Sequence, residues 1–486
     1  MASSSPSSST LRHVAMLPFM AKGHAMPMLH LTRLLLRRGL ASAVTLLATP
    51  REASFIRAGV AGIPGAAVLE LPFPSSSAGP QSMEELPSAS ESHFLDLISA
   101  TAALRPVFAD ALARLEPRPD LLVHDGFLPW AKDAADGLGV PRLVSLGMGA
   151  FSCYVTLAVL AQKPHARVSS PWEPFEVDGL PGLQLTTADL NPPFDDPEPA
   201  GRHWDFICES GVATASSWGT ILNSFHELES LYIDKMNQLE NSPKVWPVGP
   251  LCLVTEPAVQ TTLDANLAGW LDSRLAMKRP VLYVAFGSQA NLSRAQLEEI
   301  AAGLDRSGVD FVWVLRSKWF DGEDRVEGRF GDRGIVLQGF VDQLGVLRHK
   351  AIKGFFSHCG WNSVTESISM GVPILAFPLA AEQKMNAKFV VDVLGAGLRV
   401  WPSNRRHDDD GGSEGGGEMV ASREDIGALA RELILGEGGK HAAARAAELA
   451  ASARTAMDAG GSSFENLELM VRAVISGTSR VEASSE

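Results

Sequence analysis

Short apolar runs alternate along the chain with longer segments in which apolar residues recur every three or four positions. Segment 28–38 (MLHLTRLLLRR) has helical spacing, basic residues in its last turn and Gly39 directly after it. Strand-like runs in the first half are 13–17 (HVAML), 43–48, 120–124 (DLLVH) and 142–146 (RLVSL). Repeated strand–helix units predict a parallel sheet covered by helices on both faces.

The alternation restarts after a Pro/Gly-rich passage at 246–250 (WPVGP). Strand-like runs in the second half are 281–286, 311–315, 335–337, 354–357 and 374–377. Two such series predict an α/β protein with two doubly wound domains. We expect residues 1–255 to form the first domain and 256–462 the second. Residues 463–486 are expected to form a C-terminal helix and tail that packs back on the first domain.

The charge balance narrows the function classes. The 486 residues carry a formal net charge of −14, with 45% hydrophobic and 20% charged residues. An acidic globular chain is a poor candidate for binding nucleic acid or an anionic membrane surface. The N-terminus lacks a secretory signal, and no apolar run approaches the roughly 20 residues that span a bilayer. We therefore expect a monomer without a nucleic-acid partner or a membrane span.

The cysteines and the acidic runs do not indicate a metal site. The four cysteines are far apart and form no CxxC pair; they are Cys153, Cys208, Cys252 and Cys359. This spacing favours reduced thiols in the cytoplasm over zinc ligands or disulfides. The acidic run 408–410 stands in a polar, Gly-rich stretch, where adjacent acids usually form a solvated loop tip. We expect no bound metal.

Two polar residues follow strands in the first half. His24 lies in 18–27 (PFMAKGHAMP), after the first strand, and Asp125 directly follows the strand-like run 120–124, as the last residue of DLLVHD. Ligands of open α/β sheets bind beyond the carboxyl ends of strands. A histidine held by an aspartate is a general-base pair. The alternative is that His24 is a loop residue near a helix start and Asp125 an N-cap.

The second half contains a candidate anion site. Segment 340–383 places a strand (GFFS) before HCGWNS, which opens a helix. Free N–H groups and the positive dipole end of that helix suit a diphosphate. Gly360 permits close backbone approach, Asn362 and Ser363 add donors, and Glu366 lies about one turn further. An ordinary Ser/Asn-capped helix is the alternative for each residue taken singly.

Taken together, 340–383 resembles the signature box of the plant family 1 UDP-glycosyltransferases. HCGWNS, the glutamate three residues later, GVP at 371–373 and the terminal acid–Gln pair carry the likeness. Segments 219–230 (GTILNSFHELES) and 281–288 (VLYVAFGS) extend it over nearly the whole chain. The resemblance implies the GT-B fold, with two Rossmann-like domains facing a central cleft, and a UDP-sugar donor as co-substrate without a tightly bound cofactor.

The same resemblance assigns the nucleotide-binding positions. Phe340 stands where the family usually has a tryptophan that stacks on uracil, and an aromatic face is retained. Glu366 matches the acceptor of the ribose hydroxyls. Positions matching other contacts of the UDP moiety are His358, Ser363, Asn362 and Ser288 at the diphosphate, and Val341 and Gln343 in the box.

Three further positions match contacts to the sugar: Trp361, Glu382 and Gln383. Gln383 is the usual companion of glucose in the family, whereas members that use galactose more often carry histidine there. Glu382 replaces the commoner aspartate and is one methylene longer, which can shift the sugar. The resemblance therefore implies UDP-glucose as the donor.

By resemblance, His24 is the catalytic base and Asp125 its partner. The acceptor oxygen attacks the anomeric carbon opposite the UDP leaving group and inverts its configuration, without a metal. The expected acceptor is a small lipophilic plant metabolite such as a flavonoid, another phenolic, a terpenoid or a hormone. Apolar side chains after strand ends are candidate pocket walls, with core packing an equal alternative: Phe19, Phe127, Trp130, Met148 and Phe151.

Other functions remain open from the sequence. A nicotinamide-dependent oxidoreductase needs G-x-G-x-x-G after a strand, and the nearest match at 147–152 (GMGAFS) lacks the third glycine. A non-catalytic UDP-sugar-binding protein would not need His24 and Asp125. A C-glycosyltransferase would share the same donor site.

Overall fold

The chain divides into two compact units. The computed structural model describes residues 10–74, 79–86, 90–254, 263–287, 292–315, 330–339, 341–401 and 420–477. The first unit comprises Met1–Ala188, Pro192–Thr255 and Ala453–Glu486. The second comprises Asp189–Asn191 and Glu256–Ser452.

Within its described residues, the first unit contains a seven-stranded parallel sheet with the order β3-β2-β1-β4-β5-β8-β9. Its strands are β1 Val14–Leu17, β2 Val44–Ala48, β3 Ala66–Glu70, β4 Leu121–Asp125, β5 Arg142–Leu146, β8 Gly219–Leu222 and β9 Lys244–Pro247. A small antiparallel pair, β6 Phe175–Glu176 and β7 Gln184–Leu185, stands apart from this sheet. The strand order reverses at β1, so β1 and β4 flank the topological switch point.

Helices cover both faces of this sheet. They are α1 Lys22–Arg37, α2 Pro50–Val60, α3 Glu91–Thr101, α4 Arg105–Arg114, α5 Ala131–Leu138, α6 Ala150–Gln162, α7 Arg202–Ala215, α8 His226–Gln238 and α16 Ser462–Ser476. Alternate residues of β1 enter different cores, because side chains of a strand alternate between faces. Val14 and Met16 pack with α1 and α16, and Ala15 and Leu17 pack with α4 and α5.

The second unit contains, in its described part, a six-stranded parallel sheet with the order β12-β11-β10-β13-β14-β15. Its strands are β10 Val281–Ala285, β11 Asp310–Leu315, β12 Gly334–Gln338, β13 Ile352–Ser357, β14 Ile374–Ala376 and β15 Gly397–Arg399. Its helices are α9 Ala265–Ala276, α10 Arg294–Ser307, α11 Gln343–Arg348, α12 Trp361–Met370, α13 Gln383–Lys388, α14 Arg423–Leu435 and α15 Glu437–Met457, whose last residues belong to the first unit. Here β10 and β13 flank the switch point.

Two parallel sheets with helices confirm the predicted α/β class, but several boundaries differ from the pattern. Helix α1 begins at Lys22, six residues before the predicted start, and includes Pro27. Backbone bonds from His24 and Ala25 to the Ala21 carbonyl close its first turn, so His24 belongs to the helix and not to a loop.

Among the described residues, six strands are absent from the prediction: β3, β6, β7, β8, β9 and β15. β3 is an edge strand with mostly exposed side chains, and β15 has only three residues, so neither shows a continuous apolar run. The passage 246–250, after which the alternation restarts, begins inside a strand, because β9 ends at Pro247. β9 is an edge strand, where proline is tolerated since one side of the ladder has no partner.

Candidate functional site

His24 and Asp125 meet at the switch point of the first unit. His24 lies in the first turn of α1, directly after β1, and Asp125 is the last residue of β4. The two strands are neighbours, with Leu17 paired to His124. His24 Nδ1 lies 2.8 Å from Asp125 Oδ2. The ring is 23% exposed and the carboxylate 4%, so the pair combines access with a fixed partner.

The carboxylate is oriented by backbone as well as by the ring. Asp125 Oδ1 accepts a hydrogen bond of 2.9 Å from the backbone N–H of Phe127. A carboxylate fixed in this way selects the imidazole tautomer with the proton on Nδ1, and the lone pair of the neutral ring then lies on Nε2. The arrangement is that of a base and its orienting acid. Asp125 does not cap α5, which begins at Ala131.

Aromatic side chains surround His24. Its ring centroid lies 5.3 Å from that of Phe19 and 5.0 Å from that of Phe127. Phe94 and Phe206 contact Phe127 edge to face and extend this cluster. On another side, a Cβ added to Gly147 would come within 3.3 Å of His24 Cε1, so a larger residue there would be in tight contact with the ring.

The five predicted pocket walls separate into two groups. Phe19 and Phe127 touch the His24 ring, while Met148 is half-buried beside Gly147. Trp130 packs on Phe108 and donates to the Thr101 hydroxyl, and Phe151 packs on Tyr232. For Trp130 and Phe151 the contacts are those of core residues. Phe94 and Phe206 join the aromatic cluster from α3 and α7, which no strand-end pattern could indicate.

A second constellation lies at the switch point of the second unit. His358 follows β13, and the glycine after the neighbouring strand β10 is Gly287. Cβ atoms added to Gly287 and Gly360 would lie 2.7 and 2.6 Å from His358 Nε2, so both glycines make room for the ring. Desolvation lowers the pKa of His358 to about 4. His358 is therefore neutral near pH 7, and its Nδ1 is buried without a hydrogen-bond partner among the described residues.

The loop between β13 and α12 is strained. Cys359 is buried and has a positive φ of 62°, in the left-handed region that side chains other than glycine rarely adopt. The Ser357 hydroxyl accepts from its N–H, and Asn386 Nδ2 donates 2.9 Å to its carbonyl. Strained backbone persists where surrounding contacts enforce it. Here they hold the residues that lead into the N-terminus of α12.

Glu366, Gln343 and Ser363 form one hydrogen-bond network. Gln343 Nε2 donates to Glu366 Oε2 at 2.8 Å and to Ser363 Oγ at 3.1 Å. Desolvation, reinforced by the charge of Asp342, raises the pKa of Glu366 to about 7, although the Gln343 bond opposes the shift. A carboxylate short of donors in a dry site suits a ligand that brings hydroxyl groups.

The remaining residues of this box differ in what they present. Trp361 is 2% exposed, and its indole packs on Phe389 at the first position of α12. Val341 is half-buried against the core below α11. Asn362 is half-buried in the first turn of α12. Ser288 and Phe340 lie outside the described residues.

Glu382 and Gln383 begin α13. The Gln383 side-chain oxygen accepts from the N–H groups of Leu379 and Ala380, both at 2.9 Å. Glu382 Oε1 accepts 3.3 Å from Asn386 Nδ2, which also holds the Cys359 carbonyl. Sequence reasoning missed Asn386, although its spacing of three residues after Gln383 would place it one helical turn further on.

The glycine-containing turn at 147–152 does not offer an anion site. Glu229 is 1% exposed and accepts 2.7 Å from the N–H of Phe151, in the first turn of α6. It also accepts from the Ser224 hydroxyl at 2.5 Å. The protein's own carboxylate thus occupies the helix N-terminus that a dinucleotide phosphate would need. This contact argues against the oxidoreductase alternative.

Membrane-spanning helices and metal-binding clusters are both absent from the described part of the chain. No helix there is long and apolar enough to cross a membrane. No group of three or more His, Cys, Asp or Glu side chains there is arranged to hold a metal ion. The acidic run 408–410 lies outside the described residues.

Comparisons with known proteins agree in one family. The family model for UDP-glucuronosyl and UDP-glucosyl transferases matches residues 271–404. UDP-glycosyltransferase 90A1 of Arabidopsis thaliana is 38% identical over 476 residues, which cover 95% of this chain and 96% of the relative.

Two solved plant structures are similar over nearly the full length. Glycyrrhiza uralensis UGT73P12, complexed with glycyrrhetinic acid 3-O-monoglucuronide, has a TM-score of 0.81 and 29% identity, covering 96% of each chain. Phytolacca americana UGT2, complexed with UDP-2-fluoro-glucose and pterostilbene, has a TM-score of 0.76 and 27% identity, covering 95% of this chain and 99% of that one.

Proposed function

The chain belongs to the plant family 1 UDP-glycosyltransferases, with the GT-B fold, and we propose that it transfers glucose from UDP-glucose to a hydroxyl of a small lipophilic acceptor with inversion. The observation that carries this proposal is the 2.8 Å contact between His24 Nδ1 and Asp125 Oδ2 at a sheet switch point. A protein that only bound UDP-sugar would need no such pair.

The proposed reaction begins at Nε2 of His24. This nitrogen takes the proton of the acceptor hydroxyl as the oxygen attacks the anomeric carbon. The C–O bond to UDP breaks on the opposite face, so an α-linked donor yields a β-linked product. Asp125 stabilises the imidazolium that forms, since it already accepts from Nδ1.

Donor binding is proposed to use the groups that begin α12. Backbone N–H groups, Asn362 and Ser363 meet the diphosphate, with neutral His358 beside them. The Glu366 carboxylate accepts hydrogen bonds from the ribose hydroxyls. Gln343 orients this carboxylate, to which it already donates a hydrogen bond of 2.8 Å. The negative charge that grows on UDP as it leaves is met by these donors. We expect transfer to continue in the presence of EDTA.

The sugar is proposed to lie against α13. Gln383 and Glu382 carry polar side chains at the start of this helix, and Gln383 exchanges its bonds to Leu379 and Ala380 for bonds to sugar hydroxyls. Glucose is proposed because glutamine holds this last position. The solved relative from Phytolacca americana binds UDP-2-fluoro-glucose, which agrees with that assignment.

The acceptor is proposed to lie on the aromatic cluster around His24. Phe19, Phe94 and Phe127 present ring faces and edges without charged groups of their own, which suits a flavonoid, another phenolic, a terpenoid or a hormone. A cytoplasmic location remains our prediction, based on the widely spaced cysteines, and so does a monomeric state.

The decisive experiment is a mass-spectrometric screen of pooled plant aglycones against UDP-glucose, UDP-galactose and UDP-glucuronic acid. We expect a product with one added hexose from UDP-glucose, and NMR of that product should show a β-O-glycosidic linkage. A C-linked product would replace O-transfer by the alternative chemistry. Binding of UDP-glucose without a product from any acceptor would favour a non-catalytic binding protein.

A further inference from the structure

A short piece of the first half of the sequence lies within the second unit. Asp189–Asn191 belongs to that unit, whereas Ala188 and Pro192 on either side belong to the first. Asp189 and Leu190 are each 1% exposed. A segment buried so completely must be held by specific contacts, because its backbone and its charge would otherwise be left without water.

The Asp189 carboxylate lies between two cations. Oδ1 accepts from Arg399 Nη1 at 3.0 Å, and Oδ2 lies 3.6 Å from Lys388 Nζ. The side chains of Asp189, Arg399 and Lys388 are 2%, 6% and 14% exposed. Burial lowers the pKa of Arg399, and the charge of Asp189 opposes that effect. Removing one member of a buried ion pair is costly, because the other charge remains without compensation.

Both Lys388 and a second lysine belong to α13. Lys384 Nζ donates to the Leu190 carbonyl at 3.0 Å, one turn before Lys388. Between them Asn386 donates to the Cys359 carbonyl. The segment Asp189–Asn191 therefore holds one side of α13, and Asn386 ties the helix to the loop before α12. Glu382 and Gln383 stand at the first turn of this helix.

We propose that Asp189 is a positioning residue for the donor sugar. Asp189 holds α13 through Lys388 and is itself held to the end of β15 through Arg399, and so it fixes where Glu382 and Gln383 meet the sugar hydroxyls. This inference rests on the proposed function, in which α13 holds the sugar and α11 and α12 hold the UDP moiety. Polar groups discriminate between epimers only when they are held firmly in place.

The proposal predicts separate effects on the nucleotide and on the sugar. In Asp189→Asn, one carboxylate charge is removed at nearly constant volume. Affinity for UDP, measured by titration calorimetry, should stay within twofold of wild type. The KM for UDP-glucose should rise about tenfold, a tenth of the effect of a 1 Å misplacement at a reacting centre. The preference for UDP-glucose over UDP-galactose, as a ratio of kcat/KM, should fall by a similar factor.

A second variant and a matched control keep the test independent of folding. Lys384→Met removes the contact to the Leu190 carbonyl and leaves the ion pair; it should show the same split in weaker form. Asp392 also pairs with Lys388, at 2.9 Å, but its side chain is 51% exposed, whereas that of Asp189 is 2% exposed. Asp392→Asn should match wild type in UDP affinity, donor KM and donor preference.

The possible results distinguish a failure of the positioning role of Asp189 from a failure of the proposed function. Loss of UDP affinity in Asp189→Asn together with the donor effect would identify Asp189 as a general structural residue and overturn the positioning role. Unchanged donor KM and preference in an active enzyme would overturn it as well. If the wild-type protein transfers no hexose, the proposed function fails, and the assignment of Asp189 fails with it.

Discussion

Substitution of single residues tests the proposed chemistry most directly, and His24 is the first of them. General-base assistance is worth about 10²–10⁴-fold in rate. We expect His24→Ala to lower kcat by that factor for aliphatic alcohols and by less for acidic phenols, which ionise without help. Raising the pH should partly restore activity with phenols alone. The measurement is kcat for a graded series of acceptors.

Two further variants calibrate that result. Asp125→Asn should show a milder form of the same trend, because it alters the tautomer and charge stabilisation of the ring without removing the base. His226→Ala is the control: this histidine is 42% exposed and pairs with Asp234, so kcat should not change. Equal losses for every acceptor in His24→Ala would make His24 a structural residue.

Glu366 gives a prediction about pH. Its pKa is raised to about 7, so the unliganded protein binds a proton that the unfolded chain releases at lower pH. The stability that this proton contributes is present below the unfolded pKa and is lost as pH rises through about 7. UDP-glucose, by contrast, needs the ionised carboxylate as an acceptor, so its affinity should increase between pH 6 and pH 8.

Calorimetry with UDP-glucose tests this, since its diphosphate has no group that titrates near neutral pH. Below pH 7, binding to wild type should release a proton, seen as a dependence of the heat on the buffer. Glu366→Gln should bind without proton release, with a pH-independent affinity. Glu366→Ala should lose about 2–4 kcal/mol of binding free energy. The same pH dependence in wild type and Glu366→Gln would exclude Glu366 as its source.

At the scale of elements, the turn from β13 into α12 depends on space that glycine leaves. Gly360 has φ −58°, so alanine fits its backbone, yet the new Cβ would lie 2.6 Å from His358 Nε2. Overpacking of this kind costs about 1–3 kcal/mol. We expect Gly360→Ala to displace His358 and to weaken UDP binding by roughly tenfold.

The control for Gly360→Ala is another glycine on a helix of the same unit. Gly269 lies in α9, and a Cβ added there would meet nothing within 4 Å. Gly269→Ala should leave UDP affinity unchanged and stabilise the helix by about 0.5–1 kcal/mol. Titration calorimetry and thermal unfolding of both variants provide the comparison. Wild-type affinity in Gly360→Ala would show that the His358 position does not matter for the donor.

In the first unit, residues from near both ends of the chain share one hydrophobic core. Helix α16 contributes Leu467, Met470 and Val471 to the same apolar cluster as β1 and α1. Arg38 pairs with Glu468 at 2.7 Å, and its guanidinium lies 3.3 Å from the centroid of the Phe464 ring. Folding of the first unit therefore requires residues from both ends of the sequence.

We expect Leu467→Ala to lower the free energy of unfolding by about 2–5 kcal/mol, because the side chain is fully buried and its removal leaves a cavity. Leu469 lies two residues further along the same helix and is 46% exposed, so Leu469→Ala should change stability by less than about 0.5 kcal/mol. Denaturant unfolding measures both. Similar stabilities of the two variants would contradict the assignment of α16 to this core.

The class of fold and the family could be predicted from the amino-acid sequence alone. Buried parallel strands are nearly continuous apolar runs, so strands such as β1 can be recognised from the local sequence. Segment 340–383 can be recognised in the same way, because the N-terminus of its helix and the polar residues there are consecutive in sequence. Edge strands such as β3 and β9 could not be recognised from the sequence, because β3 has mostly exposed side chains and β9 includes a proline.

Which residues meet across long distances in the sequence depends on the tertiary structure. His24 and Asp125 are 101 positions apart, and their contact exists because β1 and β4 pair in parallel and end at the same edge of the sheet. Phe94, Asn386 and Asp189 acquire their places near the proposed sites in the same way, through packing of helices and segments that no local pattern relates. The periodicity of apolar residues shows which face of a helix or strand is buried. It does not show which residues pack against that face, because these depend on the topology of the fold.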